Sequence, residues 1–169
     1  SDFIQENENY FPKLEEFSSN FFNTNQTNNR IGYSSICEYL KTKHKIDVKD
    51  VIPDEENLFT KKFDPLKKIF LLSDYLTLET KKLHAAAQVA QLEAIEIIDE
   101  YLSSFSFPNA ESKKLSKVAL LNYAGAAIIM PYKPFYDECI KQRYDVELLQ
   151  NTFAASFEQV AHRITCLQN

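Results

Sequence analysis

His84 and Gln88 are the two side chains whose spacing comes nearest to that of a catalytic site. They stand four positions apart on a predicted helix, and side chains at that spacing share one helix face, as paired histidines do in many zinc hydrolases. A catalytic zinc needs three protein ligands and a nearby base. Gln88 is a poor zinc ligand, and Ala85, next to the histidine, cannot take a proton. The pattern therefore predicts no metal site and no peptidase activity, and we expect the chain not to be an enzyme.

A small set of aromatic and polar residues is better suited to binding. Asn122 and Tyr123 interrupt the apolar run LLNYAGAAIIM, and a buried amide needs a hydrogen-bond partner from the protein or from a ligand. A helix-to-helix hydrogen bond for Asn122 is the alternative that the sequence leaves open. The candidate ligand-binding residues are Phe3, Tyr10, Asn122, Tyr123, Tyr132 and Arg143.

These candidates predict a site with an apolar end and a charged end. The aromatic rings can stack a base or cover an acyl chain. The small residues of 122–127 leave room for an apolar slot against the N-terminal aromatic segment. Arg143 can hold a phosphate, although an ion pair with a neighbouring carboxylate, such as Glu138 or Asp145, would account for it as well.

The elements that must position these residues are mostly helical. Alternating apolar and polar residues predict strands at 46–51 and 66–72, with a short strand at 58–60 that pairs between them. Apolar residues recurring at steps of three and four predict helices, over a segment from Pro12, 33–43, one continuous stripe from Leu83 to Tyr101, 115–129, 134–142, 146–153 and 157–167. We expect an α+β fold that is mainly helical, with five to seven helices and a small antiparallel sheet of about three strands.

The charge of the chain argues against direct DNA binding. Its formal net charge is −5 and it has only three arginines, whereas DNA-reading domains are usually basic. Residues 148–167 nevertheless imitate a helix-turn-helix, in which Arg163 would lie on the second helix. A DNA-binding module, or a dimerisation module with no small-molecule ligand, is therefore the alternative to a binding domain, and a homodimer stays open.

The cysteines and the hydropathy of the chain indicate its compartment. Its three cysteines, Cys37, Cys139 and Cys166, have no paired spacing, which fits reduced thiols and predicts a cytoplasmic protein. No apolar run approaches the roughly 20 residues that a membrane helix needs. The N-terminal residues lack the basic start and apolar core of a signal peptide, so no membrane partner is expected.

Six segments match one family pattern, in order and along nearly the whole chain: NENYFPKLEE, ICEYLKTKHKIDV, LHAAAQVAQLE, NYAGAAIIMPYKPF, RYDVELL and SFEQVAHRITCLQ. Together they resemble the effector domain of the short-chain acyl-CoA-responsive regulators. These are Xre-family transcription factors whose middle domain has the IrrE/ImmA peptidase-like fold. The resemblance implies a zincin-like helical core in which Leu120 stands at the position of a metal-binding glutamate.

The resemblance also implies a function. An effector domain of this family binds an acyl-CoA, while DNA is bound by a separate N-terminal helix-turn-helix domain, and a C-terminal domain carries cysteines. Neither flanking domain is in this sequence, so residues 1–169 are expected to be a single ligand-sensing domain excised from a longer regulator. The asparagine-rich segment 20–29 departs from the family pattern and leaves the acyl group open.

Overall fold

A computed structural model describes residues 2–168 of the chain. Within this part it has nine helices and three strands. In chain order they are α1 (Asp2–Glu6), α2 (Pro12–Asn25), α3 (Tyr33–His44), β1 (Asp47–Val51), β2 (Lys61–Asp64), β3 (Ile69–Ser73), α4 (Leu78–Glu93), α5 (Ile95–Ser103), α6 (Ala110–Ile129), α7 (Tyr132–Lys141), α8 (Val146–Phe153) and α9 (Phe157–Ile164). The predicted α+β class, mainly helical with a small sheet, is confirmed.

The sheet has the order β1-β3-β2, so the last strand in sequence lies in the middle. β3 pairs antiparallel with β2, from Lys61 opposite Leu72 to Asp64 opposite Ile69. It pairs parallel with β1, from Asp47 opposite Ile69 to Val51 opposite Ser73. The sheet is therefore mixed and not antiparallel throughout. After β1 the chain forms the opposite edge strand, β2, and then reverses, so that β3 runs in the same direction as β1. The short strand lies at 61–64 rather than at 58–60, and it forms an edge of the sheet instead of pairing between the other two strands.

Two long helices form the centre of the domain. Thr77 caps α4 by accepting a hydrogen bond from the backbone of Thr80, and Asn109 caps α6 by accepting from Ser112 at 2.7 Å. α6 ends at Ile129, just before Pro131, as a proline requires. The stripe predicted as one helix from Leu83 to Tyr101 is broken at Ala94, where α4 ends and α5 begins. This break and the short helix α1 raise the helix count above the expected five to seven.

The core has two parts, one on each side of the α4–α6 pair. One part packs the sheet and α3 against α4 and the C-terminal helices, with Phe70, Leu72 and Phe135 among its fully buried side chains. The other packs α1 and α2 against α5 and α6 and is strongly aromatic. In it the ring of Phe11 lies edge-on to Tyr101 and Tyr123, both at 5.1 Å between centroids. Among residues 2–168, no helix has the length and hydropathy to span a membrane.

Two cations cap the C-terminal end of α8. Arg30 donates from Nε to the carbonyl of Thr152 at 3.1 Å, and Lys82 donates from Nζ to the carbonyl of Phe153 at 3.0 Å. Positive charge at a helix C-terminus is favourable because the last carbonyls carry partial negative charge. Lys82 is only 3% exposed. Burial, and then the charge of Arg30, lower the pKa of its ammonium group to about 8.

Lys82 should therefore contribute a stabilisation that rises with pH above about 8, whereas the buried Cys139 thiol, whose pKa burial raises to about 11, contributes stability that falls as the pH rises above 9. Between pH 8 and 10.5 the unfolded chain keeps the Lys82 proton that the folded chain releases, so the Lys82 contribution to the free energy of unfolding increases with pH. A shift of this size corresponds to roughly 3 kcal/mol over the window. Urea unfolding at the two ends of the window measures it. Lys82→Met should lose stability relative to the unchanged protein as the pH rises across the window, whereas the difference for Lys67→Met, at an exposed lysine, should stay constant; an equal pH dependence in both variants would refute this assignment.

Candidate functional site

A mostly apolar cavity of about 390 Å³ lies between α6, α9 and the N-terminal segment. α6 contributes two alanines, Ala119 and Ala126, whose small side chains leave the space open. Ile4 closes it from α1, and Cys166 closes it after the end of α9. The sequence predicted an apolar slot between the 122–127 segment and the N-terminal residues, and the cavity lies there.

The cavity wall holds one polar atom without a partner. Asn122 lies on α6 in this wall, and its Oδ1 is buried with no hydrogen-bond partner among residues 2–168. A buried acceptor in this condition costs free energy unless a donor reaches it. The helix-to-helix hydrogen bond left open for this oxygen is not formed within the described chain. A ligand N–H or O–H group could supply the missing donor.

A buried charged network lies behind the cavity. Arg163 of α9 donates two hydrogen bonds to the Glu15 carboxylate of α2, at 2.8 and 2.6 Å, and a third from Nε to the carbonyl of Met130 at 2.9 Å. The Tyr123 hydroxyl donates to the same carboxylate and accepts from the backbone N–H of Phe11 at 3.1 Å. Arg163 and Glu15 are 1% and 5% exposed. The network fixes Tyr123, so that only its ring is free to line the cavity.

The predicted ligand-binding residues fall into separate places. Asn122 and Tyr123 both line the cavity. Phe3 lies in the aromatic core, with its ring 5.2 Å from Phe105 and 5.7 Å from Phe11 between centroids. It lines a different depression, between α1 and the start of α6. Phe3 is therefore held by packing and does not face the cavity.

The other three predicted residues also lie outside the cavity wall. Tyr10 and Tyr132 contact each other edge to face, 5.4 Å between centroids, and the Tyr132 hydroxyl accepts from the backbone N–H of Gln168 at 2.6 Å. Arg143 is exposed in the turn between α7 and α8.

Sequence reasoning missed His162 and Cys166, which line the cavity. Their spacing of four on the last helical turns was the available signal.

The structure disagrees with the helix-turn-helix alternative. α8 and α9 do form two helices joined by a short turn, but Arg163, the only basic residue of α9 apart from His162, is buried against Glu15. The exposed face of α9 presents Glu158, a carboxylate that phosphate would repel. A second helix that reads bases needs exposed polar or basic side chains, so α9 is unsuited to that role.

The position of the peptidase zinc has no matching ligand set. His84 lies on α4 with Ala85 and Gln88, and Ala85 is fully buried. Leu120 is also fully buried, in the apolar cluster with Ala90, so the third ligand position lies inside the core. Within 2–168 no three metal-binding side chains come together. Burial, and then the charge of Lys61, lower the pKa of His84 to about 4, which keeps its ring neutral near pH 7.

Most of the chain matches one known protein family. Residues 42–165 match the family model of the IrrE N-terminal-like domain, called Peptidase_M78. A solved chain described as a Mycobacterium tuberculosis transcriptional regulator superposes with a TM-score of 0.90 at 24% identity, over 99% of this chain and 51% of that one. At this identity the likeness concerns the fold.

Curated relatives are transcriptional regulators. The chain is 36% identical over 107 residues to the HTH-type transcriptional regulator RamB of Mycobacterium tuberculosis. The aligned segment covers 63% of this chain and 23% of that protein. It is 37% identical over 89 residues to the propionyl-CoA carboxylase regulator of Cereibacter sphaeroides, over 53% of this chain and 19% of that protein. The HTH-type regulator PrpR of Mycobacterium tuberculosis aligns with 99% of this chain at 25% identity and with 34% of its own length. The chain thus spans between 19% and 34% of the length of these relatives.

Proposed function

Because the chain belongs to the family of IrrE N-terminal-like domains, we propose that it is the ligand-sensing regulatory domain of a helix-turn-helix transcriptional regulator. Its proposed effector is a short-chain acyl-CoA, and its peptidase-like scaffold is proposed to have no catalytic role. DNA would be contacted through a separate helix-turn-helix domain. In this proposal residues 1–169 work as one sensing unit.

The observation that carries this proposal is the cavity beside α6. Its mostly apolar wall suits an acyl chain, because burying hydrocarbon in a preformed apolar slot is favourable. The Asn122 oxygen in that wall needs a donor, and the pantetheine arm of CoA carries amide N–H groups. The charged nucleotide end would remain outside the cavity, since ionised phosphates are costly to bury.

The relatives support the acyl-CoA part of the proposal by name alone. One of them is the propionyl-CoA carboxylase regulator, whose name contains a short-chain acyl-CoA. Two others are HTH-type transcriptional regulators. A domain that shares their sequence, and whose α9 buries Arg163 and exposes Glu158, fits a sensing role better than a DNA-reading one.

A short-chain acyl-CoA should raise the melting temperature of the protein. At one hundred times its dissociation constant a ligand adds about 2.7 kcal/mol of apparent stability, roughly 5–10 °C for a domain of this size. A thermal-shift series from acetyl-CoA to longer acyl-CoA thioesters measures the effect. Ala126→Phe places a ring in the cavity and should abolish the shift.

The control is Ala110→Phe, the same change at an exposed position of α6, which should leave the shift intact. Free CoA separates the acyl contribution from that of the nucleotide. If every thioester leaves the melting temperature unchanged at millimolar concentration, the effector proposal is wrong. A flat series together with a stable dimer in light scattering would favour a dimerisation module instead.

A further inference from the structure

A second groove lies on the other side of the α4–α6 pair, between α4 and the outer strand β2. Its volume is about 440 Å³. Its apolar walls are formed by Phe63 and Phe70 of the sheet, Leu92 of α4 and Leu121 of α6. It shares none of its lining residues with the cavity of the proposed effector.

Each polar side chain that lines this groove, Gln91 included, can donate a hydrogen bond. Lys61 and Lys62 line it from β2, and Gln88 lines it from α4. Gln88 is only 8% exposed, and its Nε2 is buried without a hydrogen-bond partner in the described part of the chain. A buried N–H group in this condition destabilises the fold unless an acceptor reaches it. The Gln88 Nε2 group can therefore donate a hydrogen bond to an acceptor from outside the chain.

Lys61 adds a positive charge to the same groove. Its ammonium group makes no ion pair within residues 2–168, whereas Lys62 lies over the Phe59 ring at 5.7 Å. Desolvation lowers the pKa of Lys61, so a nearby anion would stabilise its charged form. Of the two lysines that line the groove, Lys61 is thus the one with no ion-pair or cation–π partner in the described part of the chain, and it lies in the same lining as the Gln88 amide and the apolar residues.

We propose that this groove binds a small monocarboxylate with an apolar body. The carboxylate oxygens accept from the Lys61 ammonium and the Gln88 amide, and the hydrocarbon lies against Phe63 and Phe70. This site is separate from the effector cavity and does not depend on the proposed function.

The charge and shape of the groove favour a carboxylate over a phosphate. A carboxylate has a single negative charge and two oxygens, which match one lysine and one amide. A phosphate near pH 7 carries up to two charges and three or more acceptor oxygens, and sites for it typically use arginine or a helix N-terminus. The aromatic walls of the groove can also bury the apolar body of a carboxylate. Inorganic phosphate has no apolar body to bury there.

Hexanoate is the probe for this site. Titration into ¹⁵N-labelled protein should shift the side-chain amide resonances of Gln88, and the backbone amide resonances of Phe63 and Phe70 that remain in every variant, in a saturable way, with a dissociation constant on the order of 1 mM. Lys61→Met and Gln88→Leu should each weaken binding by about tenfold, the loss expected for a hydrogen bond to a charged group. Gln88→Leu should also keep or raise the melting temperature, because it removes an unsatisfied buried amide. A variant that loses binding while gaining stability has not merely unfolded.

Two controls isolate the groove. Lys67→Met removes a lysine of the same region outside the groove, and Ala126→Phe fills the effector cavity; both should bind hexanoate as the unchanged protein does. Hexan-1-ol, which has the same length without the carboxylate, should not shift the Gln88 resonances. Equal binding of hexan-1-ol or of inorganic phosphate, normal hexanoate binding by Gln88→Leu, or no shift at Gln88 would each overturn the proposal.

Discussion

Replacing Arg163 with methionine is expected to destabilise the domain by about 3–5 kcal/mol, the cost of leaving a buried charge without its partner. Arg163 binds both oxygens of Glu15 and the Met130 carbonyl. Its loss leaves a carboxylate that is 5% exposed with no countercharge. Urea unfolding measures the change in free energy of unfolding.

A second substitution identifies the cause. Glu15→Gln in the Arg163→Met background removes the stranded charge but keeps an acceptor for the Tyr123 hydroxyl, so it should recover a large part of the lost stability. Arg143→Met, at an exposed arginine, should change stability by no more than about 0.5 kcal/mol. A cost below about 1 kcal/mol for Arg163→Met would contradict the importance of this ion pair.

Gly125→Val should destabilise the domain by about 3 kcal/mol or more, because it forces α4 and α6 apart. A Cβ atom on Gly125 would lie 3.0 Å from the backbone nitrogen of Ala87 and 3.1 Å from the carbonyl oxygen of Leu83. These are backbone atoms of α4, so neither can move without moving the helix. Gly125→Ala should cost less, since alanine's higher helix propensity offsets about 1 kcal/mol of the clash.

Gly32→Ala is the matched control, because a Cβ atom there meets nothing within 4 Å. It should change the free energy of unfolding by about 1 kcal/mol or less, the size of a helix-cap effect. Thermal unfolding with both variants compares the two sites. If Gly125→Val were as stable as Gly32→Ala, the close approach of α4 and α6 would not be required for the fold.

The helices could be predicted from the sequence where local signals agree. α8 has the predicted bounds because Asp145 caps it and its apolar residues keep the helical period. The break at Ala94 was missed because a buried alanine fits the stripe on either side of it. The outer strand was misplaced because the residues of β2, KKFD, lack the alternation of a half-buried strand. The parallel pairing of β1 and β3 depends on the path of the chain between them and has no local signal.

The lining of the cavity could be predicted only in part, for a related reason. Asn122 and Tyr123 could be predicted because they are polar residues within the apolar run of α6. An apolar run indicates burial, and a polar residue within it therefore stands out. Arg163 was placed on a DNA-reading face because a basic residue is ordinarily exposed. Its spacing of three from Val160, which is buried, was the clue to its true position. Phe3 and Arg143 were chosen by residue type, and type alone does not say which side chains meet in space.

The pairing of Glu15 with Arg163 also orders events during synthesis of the chain. The partners are 148 positions apart, so a ribosome has made nearly the whole domain before the arginine exists. Until then α2 has a carboxylate with no countercharge, and docking it onto α6 would bury that charge with only the Tyr123 hydroxyl as its partner. We therefore expect α2 to stay in contact with water until α9 emerges, and the domain to complete its folding after translation has passed residue 163.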